Sequence, residues 1–155
     1  MKTIHQWLSE YGESHQDHTN KLIHWICVPT IFFSVTGLLY TVKLPLAFYP
    51  DHKLNLAIIV MAVVVLYYML LSRSLWIGMA FFGLTCLYLC HLIERHLSTP
   101  LWLVCVILFV LAWIGQFYGH KIEGKKPSFL KDLQFLMIGP AWLMSFIYRK
   151  LGIRY

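Results

Sequence analysis

The sequence predicts an all-α fold: a multi-pass membrane helical bundle of four spanning helices, with a short fifth kinked or re-entrant segment and an N-terminal amphipathic helix. Three observations carry this. Of 155 residues, 59% are hydrophobic and only 13% charged, against about 25% charged in a soluble domain. Mean hydropathy is +0.63. The apolar residues are gathered into runs close to the ~20 residues that a helix needs to cross a bilayer core. A single membrane domain over 1–155 uses the whole length.

The N-terminal stretch MKTIHQWLSEYGESHQ lacks the apolar core and small-residue cleavage site of a signal peptide, so the chain is expected to begin near Met1. Ile4, Trp7, Leu8 and Tyr11 recur at helical spacing and give one apolar face, suited to the membrane surface or to packing over the bundle. Asp17, Thr19 and Asn20 interrupt this helix and can cap the next. Spans are expected at Leu22–Val42, Leu54–Leu71, Leu75–Leu92 and Leu101–Tyr118. Pro29 removes a hydrogen bond inside the first, so a kink supported by a neighbour is expected there. The fifth segment, Leu133–Tyr148, is shorter and broken by Gly139-Pro140. It can cross with a kink, dip in and return, or lie in the interface. Gly37, Gly78, Gly83 and Gly115 read as close-packing points between helices.

Four crossings put Lys2, Lys21, Arg73, Lys121, Lys125, Lys126 and Lys131 on the N-terminal side, against Lys43, Lys53 and Arg95 on the other. That bias makes the N-terminal side cytoplasmic and slightly favours a re-entrant fifth segment. The net charge of +6 therefore serves topology and anionic head groups. The aromatic residues do not interleave with a basic strip, so no nucleic-acid partner is expected. Cys27, Cys86, Cys90 and Cys105 all lie in apolar runs and read as small buried hydrophobes. A channel or transporter would need polar groups through the membrane middle, which the second span lacks.

The histidines carry the functional signal. The strings HQDHTNKLIH (His15–His24) and QFYGHKIEGKKP (Gln116–Pro127) each sit where an apolar run meets a polar stretch. The crossing count brings both to one membrane face and leaves His52, His91 and His96 near the other. His24 lies about one turn into the first span and His120 just beyond the fourth. His18 lies in what reads as a solvent-facing turn, and His91 and His96 read as end groups of the bundle. A single histidine in an apolar helix is more often structural, but several converging polar groups at a membrane boundary suggest a purpose. His15, His24 and His120, as neutral imidazoles, suit Fe(II), Zn(II) or another borderline metal. Glu123, one helical turn after His120, can serve as a further ligand, as an acceptor fixing an imidazole, or as a solvated partner of Lys126. Asn20 and Gln116 can orient a histidine or a substrate oxygen, or can cap and bond between helices. Lys121, Lys125 and Lys126 can attract a fatty acid carboxylate or simply anchor the chain.

The blocks SHQDHTNKLIHWICVPTIFF and WIGQFYGHKIEGKKPSFLKDLQFLMIGP resemble the small membrane family of 2-hydroxy fatty acid dioxygenases. The matching positions are His15, Asn20, His24 and Val28-Pro29, then Gln116, Gly119, His120, Glu123, Lys125-Lys126 and Pro127. The resemblance covers nearly the whole chain. It implies an Fe(II)-dependent enzyme that uses O2 to shorten a 2-hydroxy fatty acid by one carbon, with His15, His24 and His120 as iron ligands. It also implies an inner-membrane location in a bacterium, or the endoplasmic reticulum in a eukaryote. Glu123 follows His120 by three residues where the fungal pattern has room for one more, which weakens a ligand role. The chain also stops soon after the fifth segment, without a long tail. The alternative class is a non-enzymatic lipid-binding or scaffold protein whose histidines are structural.

Overall fold

The computed structural model describes residues 2–49, 52–124 and 135–155, without the side chains of 46–49, 52 and 53. Helix α1 (Ile4–Gly12) opens with a reciprocal cap. The Gln6 amide donates to Thr3 Oγ1 (3.3 Å), and the Thr3 amide donates to Gln6 Oε1 (2.9 Å). Its apolar face, Ile4, Leu8 and Tyr11, is buried. That face packs on the bundle through the last helix and is not left for a lipid surface.

Helix α2 (His18–Thr41) runs without interruption through Pro29, so no break appears at the expected kink. Asp17 is its N-cap, accepting from the amides of Thr19 (2.8 Å) and Asn20 (3.0 Å). A hairpin follows, β1 (Lys43–Tyr49) and β2 (His52–Asn55), antiparallel with Lys43 opposite Asn55. Then come α3 (Leu56–Leu71), α4 (Leu75–His96) and α5 (Leu101–Ile122). Among the described residues, three helices, α2, α4 and α5, are long and apolar enough to cross a membrane, while α3 is apolar but shorter. Their outer faces carry large apolar side chains such as Leu70, Phe81 and Leu84, more than 60% exposed at 81%, 73% and 63%. Such a surface suits hydrocarbon, not water.

The last helix, α6 (Ile138–Lys150), differs from expectation. Pro140 does not break it. It lies in the first turn, where a missing amide hydrogen costs little. Both ends of α6 are held at one end of the bundle. Tyr68, near the end of α3, donates its hydroxyl to the Met137 carbonyl. Tyr148 donates to the Ser74 carbonyl (3.0 Å) and accepts from the Gly78 amide (3.0 Å) at the start of α4. Helix α6 thus packs across the bundle end and forms one core with α1, Tyr68, Leu75 and Met79.

Among the described residues, helices α2 and α5 make the most extensive helix pairing. A Cβ at Gly37 would run into Cys105 Sγ, and one at Gly115 would come within 2.7 Å of Cys27 Sγ. The small residues expected at helix contacts do occupy them. All four cysteines are free and buried.

Candidate metal centre

The α2–α5 pairing determines where two of the histidines meet. His24 lies on the buried face of α2, in line with Asn20 and Val28. His120 lies in the last turn of α5, in line with Gln116. His15 comes from the short connection between α1 and α2 and folds inward beneath α6. The three rings are buried, with exposures of 3%, 0% and 4% for His15, His24 and His120. Ring centroids are 4.3 Å apart for His15–His24, 5.1 Å for His24–His120 and 5.3 Å for His15–His120. One ring nitrogen from each lies within 4.8 Å of the other two. Small side-chain rotations can close that spacing on one ion with metal–nitrogen bonds of about 2 Å. Among the described residues, no carboxylate or thiolate joins this group.

Two of the imidazoles are oriented from behind. His15 Nδ1–H donates to the Tyr11 carbonyl (2.6 Å), at the C-terminal turn of α1. His24 Nδ1–H donates to the Asn20 carbonyl one turn earlier (2.9 Å). In each case the bond fixes the tautomer with Nε2 as the lone-pair donor, as behind metal-bound histidines. The Tyr11 ring stacks on His15 (4.2 Å, 12° between planes), and Trp142 of α6 packs against both rings, 5.3 Å from Tyr11 and 5.4 Å from His15. His24 Nε2 and His120 Nδ1 are buried with no hydrogen-bond partner among the described residues. Buried polar atoms are rarely left so, because each costs about 1–3 kcal/mol. A divalent transition metal would satisfy them, and three neutral imidazoles with open positions suit such an ion.

Glu123, the C-cap of α5, is not in the cluster. Its carboxylate accepts from the Gln16 amide (2.5 Å), the Asp17 amide (3.2 Å) and the Asn20 side-chain amide (2.7 Å). It therefore ties the His15 segment and the start of α2 to the end of α5. Burial opposes its ionisation, but these three hydrogen bonds and nearby His15 outweigh burial, and the carboxyl titrates below the usual range. The ligand role considered for Glu123 gives way to a clamping one. Of the two roles open to Asn20 from sequence, orienting a histidine and capping, it takes the first: its carbonyl orients His24 and its side-chain amide grips Glu123, while Asp17 caps.

Gln116 is buried one turn below His120 and lines a small cavity with Tyr11, Val28 and Gly139. His18 is exposed at the start of α2, as expected. Lys121 is exposed, and Lys125, Lys126 and Pro127 lie outside the described residues. His91 and His96 sit near the far end of α4, where Glu94 pairs with Lys43 (2.9 Å). Tyr11 and Trp142 were not singled out from sequence as site residues. Tyr11 had a usable signal, its position four residues before His15.

A family model described as 2-hydroxy-palmitic acid dioxygenase Mpo1-like matches residues 1–151. The chain belongs to the Mpo1-like family. It is 30% identical over 147 residues to the 2-hydroxy-palmitic acid dioxygenase MPO1 of Saccharomyces cerevisiae, covering 94% of this chain and 79% of that protein. No solved structure matches. In this Mpo1-like chain, Gly119 makes the close approach of α5 to α2 possible, since a Cβ there would run into Asn20 Oδ1. Gly119→Ala is expected to cost about 1–3 kcal/mol through overpacking and to displace His120 from His24. Thermal unfolding and metal affinity, measured together, should both fall. Unchanged metal affinity would mean that Gly119 packing does not position the site.

Proposed function

We propose that this chain is an Fe(II)-dependent membrane dioxygenase that uses O2 to shorten a 2-hydroxy fatty acid by one carbon. The observation that carries the reading is the buried triad of His15, His24 and His120 at one end of an apolar bundle, in a member of a family described as 2-hydroxy-palmitic acid dioxygenases. Iron, when bound by these three residues, would supply O2 activation and attraction for the carboxylate and 2-hydroxyl oxygens.

The chain's own residues supply the rest. The carbonyls of Tyr11 and Asn20 hold the His15 and His24 rings in place. The α1–α6 layer, with Tyr11 and Trp142, keeps bulk water from the rings. Gln116 is buried one turn inside the site and offers an amide to a substrate oxygen. Lys121, exposed at the end of α5, supplies positive charge that draws a carboxylate to this end. The site end faces the cytoplasm by the positive-inside bias, at the inner membrane of a bacterium or the endoplasmic reticulum of a eukaryote. A lipid-binding protein with structural histidines is the weaker reading, because it leaves His24 Nε2 and His120 Nδ1 without partners among the described residues.

The test is turnover by the purified protein. With 2-hydroxypalmitate, Fe(II) and O2, the expected product is the fatty acid one carbon shorter, and chelation should abolish it. Inertness towards several 2-hydroxy acids with iron bound would reject the reading.

A further inference from the structure

Two cavities follow the α2 face that carries His24. The first, about 20 Å³, is lined by Val28 and Ile31 of α2 and by Trp113 and Gln116 of α5. Val28 and Gln116 each stand one turn deeper than a histidine of the triad. The second, about 110 Å³, lies between α2 and α3, with Val35, Leu39, Ala57 and Val60 in its lining. Leu136 lines both, and the turn that carries it is pinned by the bond from Tyr68 to the Met137 carbonyl.

The second cavity is apolar. The Thr36 hydroxyl on its wall is already spent on the Phe32 carbonyl (2.9 Å). An apolar cavity of this order stays dry and takes up hydrocarbon; one of about 150 Å³ binds benzene. Its floor, at Leu39 and Ala57, lies roughly 22 Å along α2 from His24 at 1.5 Å per residue. The order from the triad inward is thus metal ligands, a buried amide beside the small cavity, and an apolar chamber, with Leu136 on the wall of both cavities.

We propose that the chamber between α2 and α3 binds the tail of the acyl chain whose head lies at the triad, and that Leu39 and Ala57 set the chain length accepted. The placement of the head rests on the function proposed above; the tail site has its own readout.

The experiment uses the full chain in lipid nanodiscs and a hexadecanoic acid with a diazirine at its terminal carbon. After photolysis, adducts are expected on Val35, Leu39 or Val60 and should be competed by 2-hydroxypalmitate. Ala57→Phe should shift the best competitor to a shorter chain, with affinity falling roughly fourfold for each methylene excluded. Leu39→Ala should shift it to a longer one, and serves if the first variant does not fold. Adducts confined to outward residues such as Leu66 and Phe81, or equal chamber labelling by a tail-diazirine phospholipid, would overturn the proposal. Competed chamber adducts without turnover of any hydroxy acid would leave the tail site standing and remove the dioxygenase reading. Turnover without chamber adducts would do the reverse.

Discussion

Replacing His24 with leucine is expected to abolish metal retention and turnover while leaving the metal-free fold intact. His24 is fully buried, and its Nε2 has no partner among the described residues. Loss of a residue that merely supports a ligand typically costs 10–100-fold in metal affinity, so loss of a ligand should cost more. Leucine is close in volume and carries no polar atom to bury. The metal-free variant should therefore unfold at or above the wild-type temperature, because the unsatisfied nitrogen is gone. A structural histidine predicts the opposite pattern, with stability lost and metal content unchanged. Thermal unfolding of metal-free protein, set beside metal content after reconstitution, separates the two. His15→Ala and His120→Ala should likewise lose metal and activity.

The second large effect is expected at Glu123. Its removal as Glu123→Ala leaves the Gln16 and Asp17 amides and the Asn20 side chain without their shared acceptor. Hydrogen bonds to a charged group contribute about 1.5–3 kcal/mol each. Glu123 is only half-buried, so a total near 2 kcal/mol is expected. The His15 segment would loosen, and metal affinity should fall by roughly 10–100-fold. Glu123→Gln keeps one acceptor oxygen and should fall between.

The pH dependence has a definite sign. The folded-state carboxyl titrates below its ordinary range. Its contribution to stability is therefore complete above the ordinary glutamate pKa and is lost as the pH falls through the lowered folded value. Acidification should cost the wild type a share of stability that Glu123→Gln has already lost. Identical acid profiles for the two would show that the clamp carries no weight.

The long apolar helices and the buried histidine cluster were legible in the sequence for related reasons. Apolar runs announce α2, α4 and α5 by length alone, and polar strings at their edges stand out against that background. A count of four crossings placed His15, His24 and His120 at one end; the three rings do meet, although among the described residues α2, α4 and α5 are long enough to span and α3 is shorter. Other features carried no such signal. The hairpin of β1 and β2 lies in a connection too short for its own periodicity. Pro140 reads as a breaker from its neighbours, yet sits in the first turn of α6, because only the fold reveals which turn it occupies. The partners of Glu123 are mostly backbone amides, which no side-chain pattern announces. Its neighbours along the chain suggested a ligand, an acceptor fixing an imidazole, or a lysine pair instead. Tyr11 reads as one residue of an amphipathic face, and its second role, holding His15, appears only when the connection folds back.

The most direct measurement is the iron content of the purified chain after anaerobic loading with Fe(II) and removal of loose metal, beside a variant in which His15, His24 and His120 are all alanine. One iron per wild-type chain and none in the variant is the predicted result. A wild type that retains no iron, or a triple variant that keeps full occupancy, would contradict the assignment of the triad.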